Sequence, residues 1–198
     1  MHDRGHTAAV GSRAAIDDEA LIGYRYDEEV DAPRIGDGAT IRAGTIIYGD
    51  VEIGDDFSTG HHVLVREETT IGDDVLVGTN SVIDGYSTIG SHVSIQSNVY
   101  IPSHTTIGSN VFLGPNAVLT NDPVPVREEV DLVGPTIEDG VSIGANATIL
   151  PGVTIGADAF VAAGAVVLDD VPPASLAVGM PADIRELPER LSGVNQLA

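Results

Sequence analysis

From Ile35 onward an aliphatic residue returns every six positions. The series runs Ile35, Ile41, Ile47, Ile53, Thr59, Val65, Ile71, Val77, Ile83, Ile89, Ile95, Ile101, Ile107, Leu113, Leu119. It resumes at Ile137, Ile143, Ile149, Ile155, Val161 and Val167. Of these 21 anchors only Thr59 is not aliphatic. A period of six fits neither an amphipathic helix at 3.6 nor a lone strand at 2. The residue after an anchor is often Gly, as at Gly36, Gly54, Gly72, Gly90, Gly108 and Gly144. Three after it, in nearly every case, stands Gly, Asn, Asp or His: Gly38, Asp56, His62, Asp74, Asn80, His92, Asn98, His104, Asn110, Asn116, Gly140, Asn146. These types tolerate φ > 0, so each unit is a short strand followed by a corner.

Three units close a triangular turn of 18 residues, and the anchors then make seven turns, about 30 Å of prism at strand spacing. No turn buries its apolar face alone; stacked turns bury the anchors in one column. The two end turns need covers, and residues 1–34 and 172–198 are placed to provide them around a body at 35–171.

Composition narrows the function. Aromatic content is 4% with no Trp, so the core is aliphatic, and the absence of Cys removes thiolate metal sites and nucleophiles. No apolar run reaches membrane-span length, and the first 20 residues lack the apolar segment of a secretory signal, so a soluble, cytoplasmic protein is expected. The net charge is −21, every basic residue is Arg, and the acids recur in pairs such as Asp55-Asp56 and Asp73-Asp74. Such a surface repels nucleic acid and anionic membrane, and it suits a salt-rich, halophilic cytoplasm.

The repeat unit, and above all the closing run IGANATILPGVTIGADAFVAAGAVVLDDVPPASLAVGMPADIRE at 143–186, resembles the hexapeptide-repeat acyltransferases over roughly residues 35–186. The resemblance implies an all-β fold, a left-handed parallel β-helix; handedness comes from it and not from periodicity, since ordinary crossovers are right-handed. More narrowly, the segment at 57–122 resembles acetyltransferases acting on nucleotide-linked amino sugars in surface glycan pathways. Implied with it are acetyl-coenzyme A as cosubstrate, no metal, a nucleotide-sugar substrate and a homotrimer.

Residues 120–136, TNDPVPVREEVDLVGPT, interrupt the repeat with three prolines, as an ordered functional loop would. In the family a comparable loop reaches a neighbouring subunit and helps wall the active site. Many members place a His just before it; this chain has Asn121-Asp122, expected to contact substrate. The missing base favours an amine acceptor, which needs less help than a hydroxyl in losing its proton.

Counting in steps of 18 stacks His62, Asn80, Asn98 and Asn116 on one edge. By motif match Asn98 belongs to the active site, and His62 and Asn116 are the further catalytic candidates. An Asn ladder that stabilises a corner is the alternative. His61 lies one place off the corner, either toward a neighbour and the substrate or simply solvated. His92 and His104 read as corner residues. Small residues at Gly144 and Ala162, 18 apart, would let a pantetheine arm lie against the backbone, though tight packing also explains them. Where the family has Lys after the closing Pro-Ala this chain has Asp183, leaving Arg185 as the cation for the cofactor phosphate.

Three other readings stand beside amino-sugar acetylation. One is a sugar O-acetyltransferase. Another is a zinc enzyme of the γ-type carbonic anhydrase class, which needs converging His ligands. The last is a scaffold without catalysis.

Overall fold

The computed structural model describes residues 8–193 and residue 195. It is all-β but for one short 3-10 turn at Glu189–Leu191. Short strands stack in parallel into three sheets that form the faces of a triangular prism, the left-handed parallel β-helix. Face one contains Arg34–Ile35, Val51–Ile53 and Thr69–Ile71; face two contains Thr40–Ile41, Ser58–Thr59 and Val75–Val77; face three contains Ile46–Tyr48, Leu64–Val65 and Val82–Ile83. Pairing advances by one coil, three anchors along the chain, as in Ile53 with Ile71 and Ile71 with Ile89.

All 21 anchors are buried. An anchor Ile contributes on the order of 2 kcal/mol by leaving water, and truncating one to Ala would cost roughly 2–5 kcal/mol. Thr59 is accommodated because its buried hydroxyl accepts from the Arg42 N–H at 2.9 Å and pairs with Thr45 at 3.3 Å. Each of the twelve predicted corner residues has positive φ, from 53° at Asp74 to 74° at Gly38.

The prism is one coil longer than the anchor count. Ala9–Val10, Ala15–Ile16 and Leu21–Tyr24 pair with the strands beginning at Arg34, Thr40 and Ile46 and add an eighth coil. Val10, Ile16 and Ile22 keep the spacing of six, but the step from Ile22 to the next anchor, Ile35, is no multiple of it, so the phase is lost. At the other end Ser175–Val178 extends face two and turns back antiparallel to Asp183–Glu186.

The outward surfaces of the faces differ. Face one carries Thr70, Thr88, Thr106, Thr136 and Thr154 in one row. Face three carries Leu21, Ile46, Leu64, Val82, Val118 and Val166, all half-buried.

Candidate functional site

The corners place the chemistry. At the first corner, between faces one and two, the second residue after each anchor is capped by a side chain of the next coil. Ser12 N–H donates to Asp37 at 2.7 Å, Asp37 to Asp55 at 2.7 Å, Asp55 to Asp73 at 2.8 Å. Asp73, Ser91 and Ser109 continue the series onto Ser91, Ser109 and Asp139. The preceding Gly is required here: a Cβ on Gly36 or Gly54 would overlap the capping carboxylate. The first member of each acidic pair is therefore part of the backbone bonding, while the second turns the corner.

At the second corner, between faces two and three, stand His61, His62, Asn80, Asn98 and Asn116. The φ values of the four residues after His61 in this series run from 57° at His62 to 60° at the three Asn. No side-chain hydrogen bond joins Asn80, Asn98 and Asn116 among the described residues, so no Asn ladder forms. The His62 ring folds against Gly44 one coil away, where a Cβ would overlap it. His61 is exposed, with its ring centroid 6.4 Å from that of His62, and its backbone N–H is held by Thr79 Oγ1 at 3.3 Å.

Gly144 and Ala162 lie on the same corner farther along, stacked through Ile143 and Val161. A Cβ on Gly144 would overlap the Ala163 backbone, and the N–H groups of Gly144 and Ala162 are bonded to Val161 and Ala177, each at 2.8 Å. Tight packing therefore fixes these two positions, and their amides are already used. The residues after them differ. Ala145 and Ala163 N–H find no acceptor among the described residues, because the capping position of the next coil is Ala163 and then Gly179, neither with a polar side chain. Thr79 and Ser97 N–H, farther back on the corner, are likewise without an acceptor among the described residues. Sequence reasoning missed the Ala145 and Ala163 pair; its signal is the change from His61, Thr79 and Ser97 to Pro115, Ala145 and Ala163 in steps equivalent to one coil. Arg185 sits in the closing hairpin opposite Leu176, which pairs with Phe160, and meets Asp183 at 3.6 Å. The structure thus brings Gly144, Ala162 and Arg185 to one end of face two and its corner, and this cation at their end sets the later pair of amides apart from the earlier one.

Asn121 and Asp122 belong to the third corner, between faces three and one, where the loop leaves. Asn121 Nδ2 donates to Ser103 Oγ at 3.0 Å, its carbonyl accepts from Val133 N–H at 3.0 Å, and Asp122 Oδ1 accepts from Val124 N–H at 2.9 Å. These bonds make the loop stem rigid over a cavity of about 670 Å³. Tyr100, Thr120, Asn121, Asp122, Leu150 and Leu168 line it, with Pro123, Pro125 and Pro151. Within one chain the site candidates thus divide: His61, His62, Asn98 and Asn116 on the second corner, Asn121 and Asp122 on the third.

His62, His92 and His104 follow anchors of faces two, one and three and so stand on three different corners. His92 pairs with Asp74 at 3.0 Å and the His104 ring lies tilted against Tyr86, with centroids 5.4 Å apart. Among the described residues no group of three His, Cys, Asp or Glu could hold a metal ion.

Comparison with known proteins agrees with this architecture. The bacterial transferase hexapeptide family (six repeats) matches residues 86–121 and 134–169, and the hexapeptide repeat of succinyl-transferase matches 68–103. The chain belongs to the hexapeptide-repeat acyltransferases. No curated protein sequence matches this acyltransferase. Among solved structures, Arabidopsis UDP-N-acetylglucosamine acyltransferase aligns at TM-score 0.70 and 19% identity, over 94% of this chain and 74% of the other, a likeness of fold. A maltose O-acetyltransferase from Clostridium difficile is 27% identical at TM-score 0.50, over 59% of this acyltransferase and 67% of the other. A hexapeptide-repeat acetyltransferase of Vibrio cholerae, complexed with acetyl-coenzyme A, is 35% identical over 57% of this chain and 71% of that one, at TM-score 0.46. Among the described residues no helix is long and apolar enough to cross a membrane.

Proposed function

We propose that the chain transfers an acetyl group from acetyl-coenzyme A to the amine of a nucleotide-linked sugar, in a salt-rich cytoplasm, as a homotrimer. The observation that carries the reading is the pair of unmet N–H groups at Ala145 and Ala163. A pantetheine arm is a chain of methylenes and amide carbonyls, so two donors one coil apart, without a protein acceptor among the described residues, match its acceptors. Arg185, at the same end of the prism, supplies positive charge for the cofactor phosphate. Asn98 and Asn116, with side-chain amides not committed elsewhere among the described residues, serve to hold the thioester carbonyl, and His62 is an imidazole on the same corner.

Assembly is supported by the apolar rows of face three and by Val126, fully exposed near the tip of the loop. A second copy laid along the prism would bring its loop, with Asn121 and Asp122, toward the corner that holds the cofactor. The lack of His at the loop stem favours an amine acceptor. O-acetylation of a sugar is the second reading, favoured by the likeness to maltose O-acetyltransferase.

Calorimetric titration with coenzyme A and acetyl-coenzyme A in high potassium chloride tests the proposal. One saturable site per chain is expected; a folded protein that binds neither would overturn it. Light scattering in the same buffer should return three chains. Amino sugars and their hydroxyl counterparts, assayed as nucleotide conjugates, separate N- from O-transfer. Removing residues 123–132, which leaves the Asn121–Val133 stem bond, should abolish transfer while circular dichroism still reports a folded prism.

A further inference from the structure

All five tyrosines of the chain lie on or beside the third face and third corner, and one of them joins a row of charge, anchored on the buried Glu67, to the loop-base cavity. Glu67 has only 7% of its side chain exposed and takes two bonds from Arg66, Nε to Oε2 at 3.0 Å and Nη2 to Oε1 at 2.7 Å. The remaining guanidinium nitrogen, Nη1, donates to Asp84 Oδ1 at 2.9 Å, and Asp84 Oδ2 accepts from the Tyr100 hydroxyl at 2.9 Å. Tyr48 closes the back of the row, its ring 5.6 Å from the Arg66 guanidinium carbon. A carboxylate as buried as Glu67 is tolerable only while paired, and a guanidinium held by both its neighbours has one geometry. The row therefore fixes Asp84, and through it the plane and direction of the Tyr100 ring.

That ring is a wall of the cavity, beside Leu150 and Leu168. Burial, and then the bond to Asp84, push the Tyr100 hydroxyl up to about 12, so it keeps its proton and spends it on Asp84. The other side-chain donors of the cavity are spent as well: Thr120 Oγ1 on the Ile149 carbonyl at 3.0 Å, Asn121 Nδ2 on Ser103. The bonding capacity left on the side chains lining the cavity is therefore that of acceptors: the Tyr100 oxygen, Thr120 Oγ1, Asn121 Oδ1 and Asp122 Oδ2. No Arg or His lines it. A lining of apolar side chains and acceptors suits a ring with one apolar face and a rim of O–H and N–H donors, and it disfavours a phosphate placed inside it, which brings acceptors and negative charge.

We propose that Tyr100 is the specificity-determining residue of this cavity, held in place by Glu67, Arg66 and Asp84 as positioning residues. The cavity takes the amine-bearing sugar ring of the acceptor, with the nucleotide phosphates of the proposed substrate lying outside it. The proposal rests on the transferase reading only for what happens to that ring; the sugar-binding site stands on its own geometry.

Saturation-transfer NMR in high potassium chloride with glucosamine, glucose and glucosamine 6-phosphate tests it. Glucosamine should give the strongest response, glucose a weaker one, and the phosphate at least about fivefold less, the equivalent of one hydrogen bond's worth of discrimination. Tyr100→Ala should remove the glucosamine response, and Tyr100→Phe should keep much of it, since the ring remains. Asp84→Asn is the test that a merely structural row would not satisfy. The Asn amide donates to the Tyr100 oxygen and turns the hydroxyl proton toward the cavity, so the bias against the phosphate should shrink. A wild-type protein that responds to none of the three sugars, or prefers the phosphate, overturns the proposal. So does an unchanged response in Tyr100→Ala. Coenzyme A titration of the same proteins keeps the two readings apart: cofactor binding on the second corner should survive Tyr100→Ala, and its absence in a wild type that binds glucosamine would count against transfer alone.

Discussion

The first and second corners repeat one backbone geometry with opposite finishes. At the first, six consecutive N–H groups from Ser12 to Ser109 are met by Asp or Ser of the following coil. At the second, the same group of His61 is met by Thr79, but those of Thr79, Ser97, Ala145 and Ala163 find no acceptor among the described residues. Backbone conformation is shared, so the difference lies in a single side chain per coil. A repeat can complete a corner for stability or leave it unfinished for a ligand, and it does so without altering the fold.

The largest effect that could break this comparison is the loss of the open donors. Pro115 already occupies the corresponding place in its coil, so Ala145→Pro with Ala163→Pro removes both N–H groups in a backbone that accepts proline. Coenzyme A affinity should fall at least about tenfold, one to two hydrogen bonds' worth, with the unfolding midpoint little changed. Unchanged affinity by calorimetry would reduce the open corner to an accident of sequence.

Next comes Asn98. With φ at 60°, Ala there would add backbone strain of roughly 1 kcal/mol, so Asn98→Gly is the cleaner substitution. Turnover should drop by about tenfold or more if the amide meets the thioester carbonyl. A variant with normal turnover and a lower melting temperature would return Asn98 to the role of a corner residue.

On the finished corner, Asp55→Ala should cost about 1 kcal/mol in denaturant unfolding and leave coenzyme A titration unaltered. A change in cofactor affinity would show that the two corners are not independent.

The smallest effect is local. Two bonds from Ser12, its N–H first and then its hydroxyl, hold the Asp37 carboxyl below its ordinary value of 3.8. A depressed folded value means the stabilisation is fully present above the unfolded value and is lost as pH falls through the folded one. Hydrogen-exchange protection at Ser12 should hold steady down to about pH 5 and decline below the carboxylate range. Flat protection under more acid conditions would remove Asp37 from the end coil's support.

Most of the fold was legible in the sequence because one residue in six has no freedom of type: a buried anchor must be aliphatic, and a φ > 0 corner must be Gly, Asn, Asp or His. The exceptions mark where that logic lapses. Arg13, Glu68, Tyr86 and Ala174 have positive φ at 60°, 53°, 46° and 50° although none of these types favours it; Arg13 and Ala174 lie in the end coils, and Glu68 and Tyr86 stand on the third corner beside the charged row. The eighth coil was hidden by the irregular step from Ile22 to Ile35. The row itself escaped because charged residues, read singly, look like solvated surface. Only the coil step sets Arg66 beside Asp84, and Tyr100 reaches back across a coil. The site was legible as positions and not as partners. His62, Asn98 and Asn116 fall on one corner as counted, yet which donors and acceptors remain unspent emerges only from the full set of bonds.

The loop has a consequence for how such a protein can change. Ile89 pairs with Ile107, the ordinary single coil along the chain, whereas Ile107 pairs with Ile137 across the whole of the excursion. The ladder continues in register as if the inserted segment were absent. The prism therefore places no demand on the loop's length or content beyond its two ends. Lineages could exchange one loop for another, and with it the partner admitted beside Tyr100, while the same prism and the same open corner continue to serve.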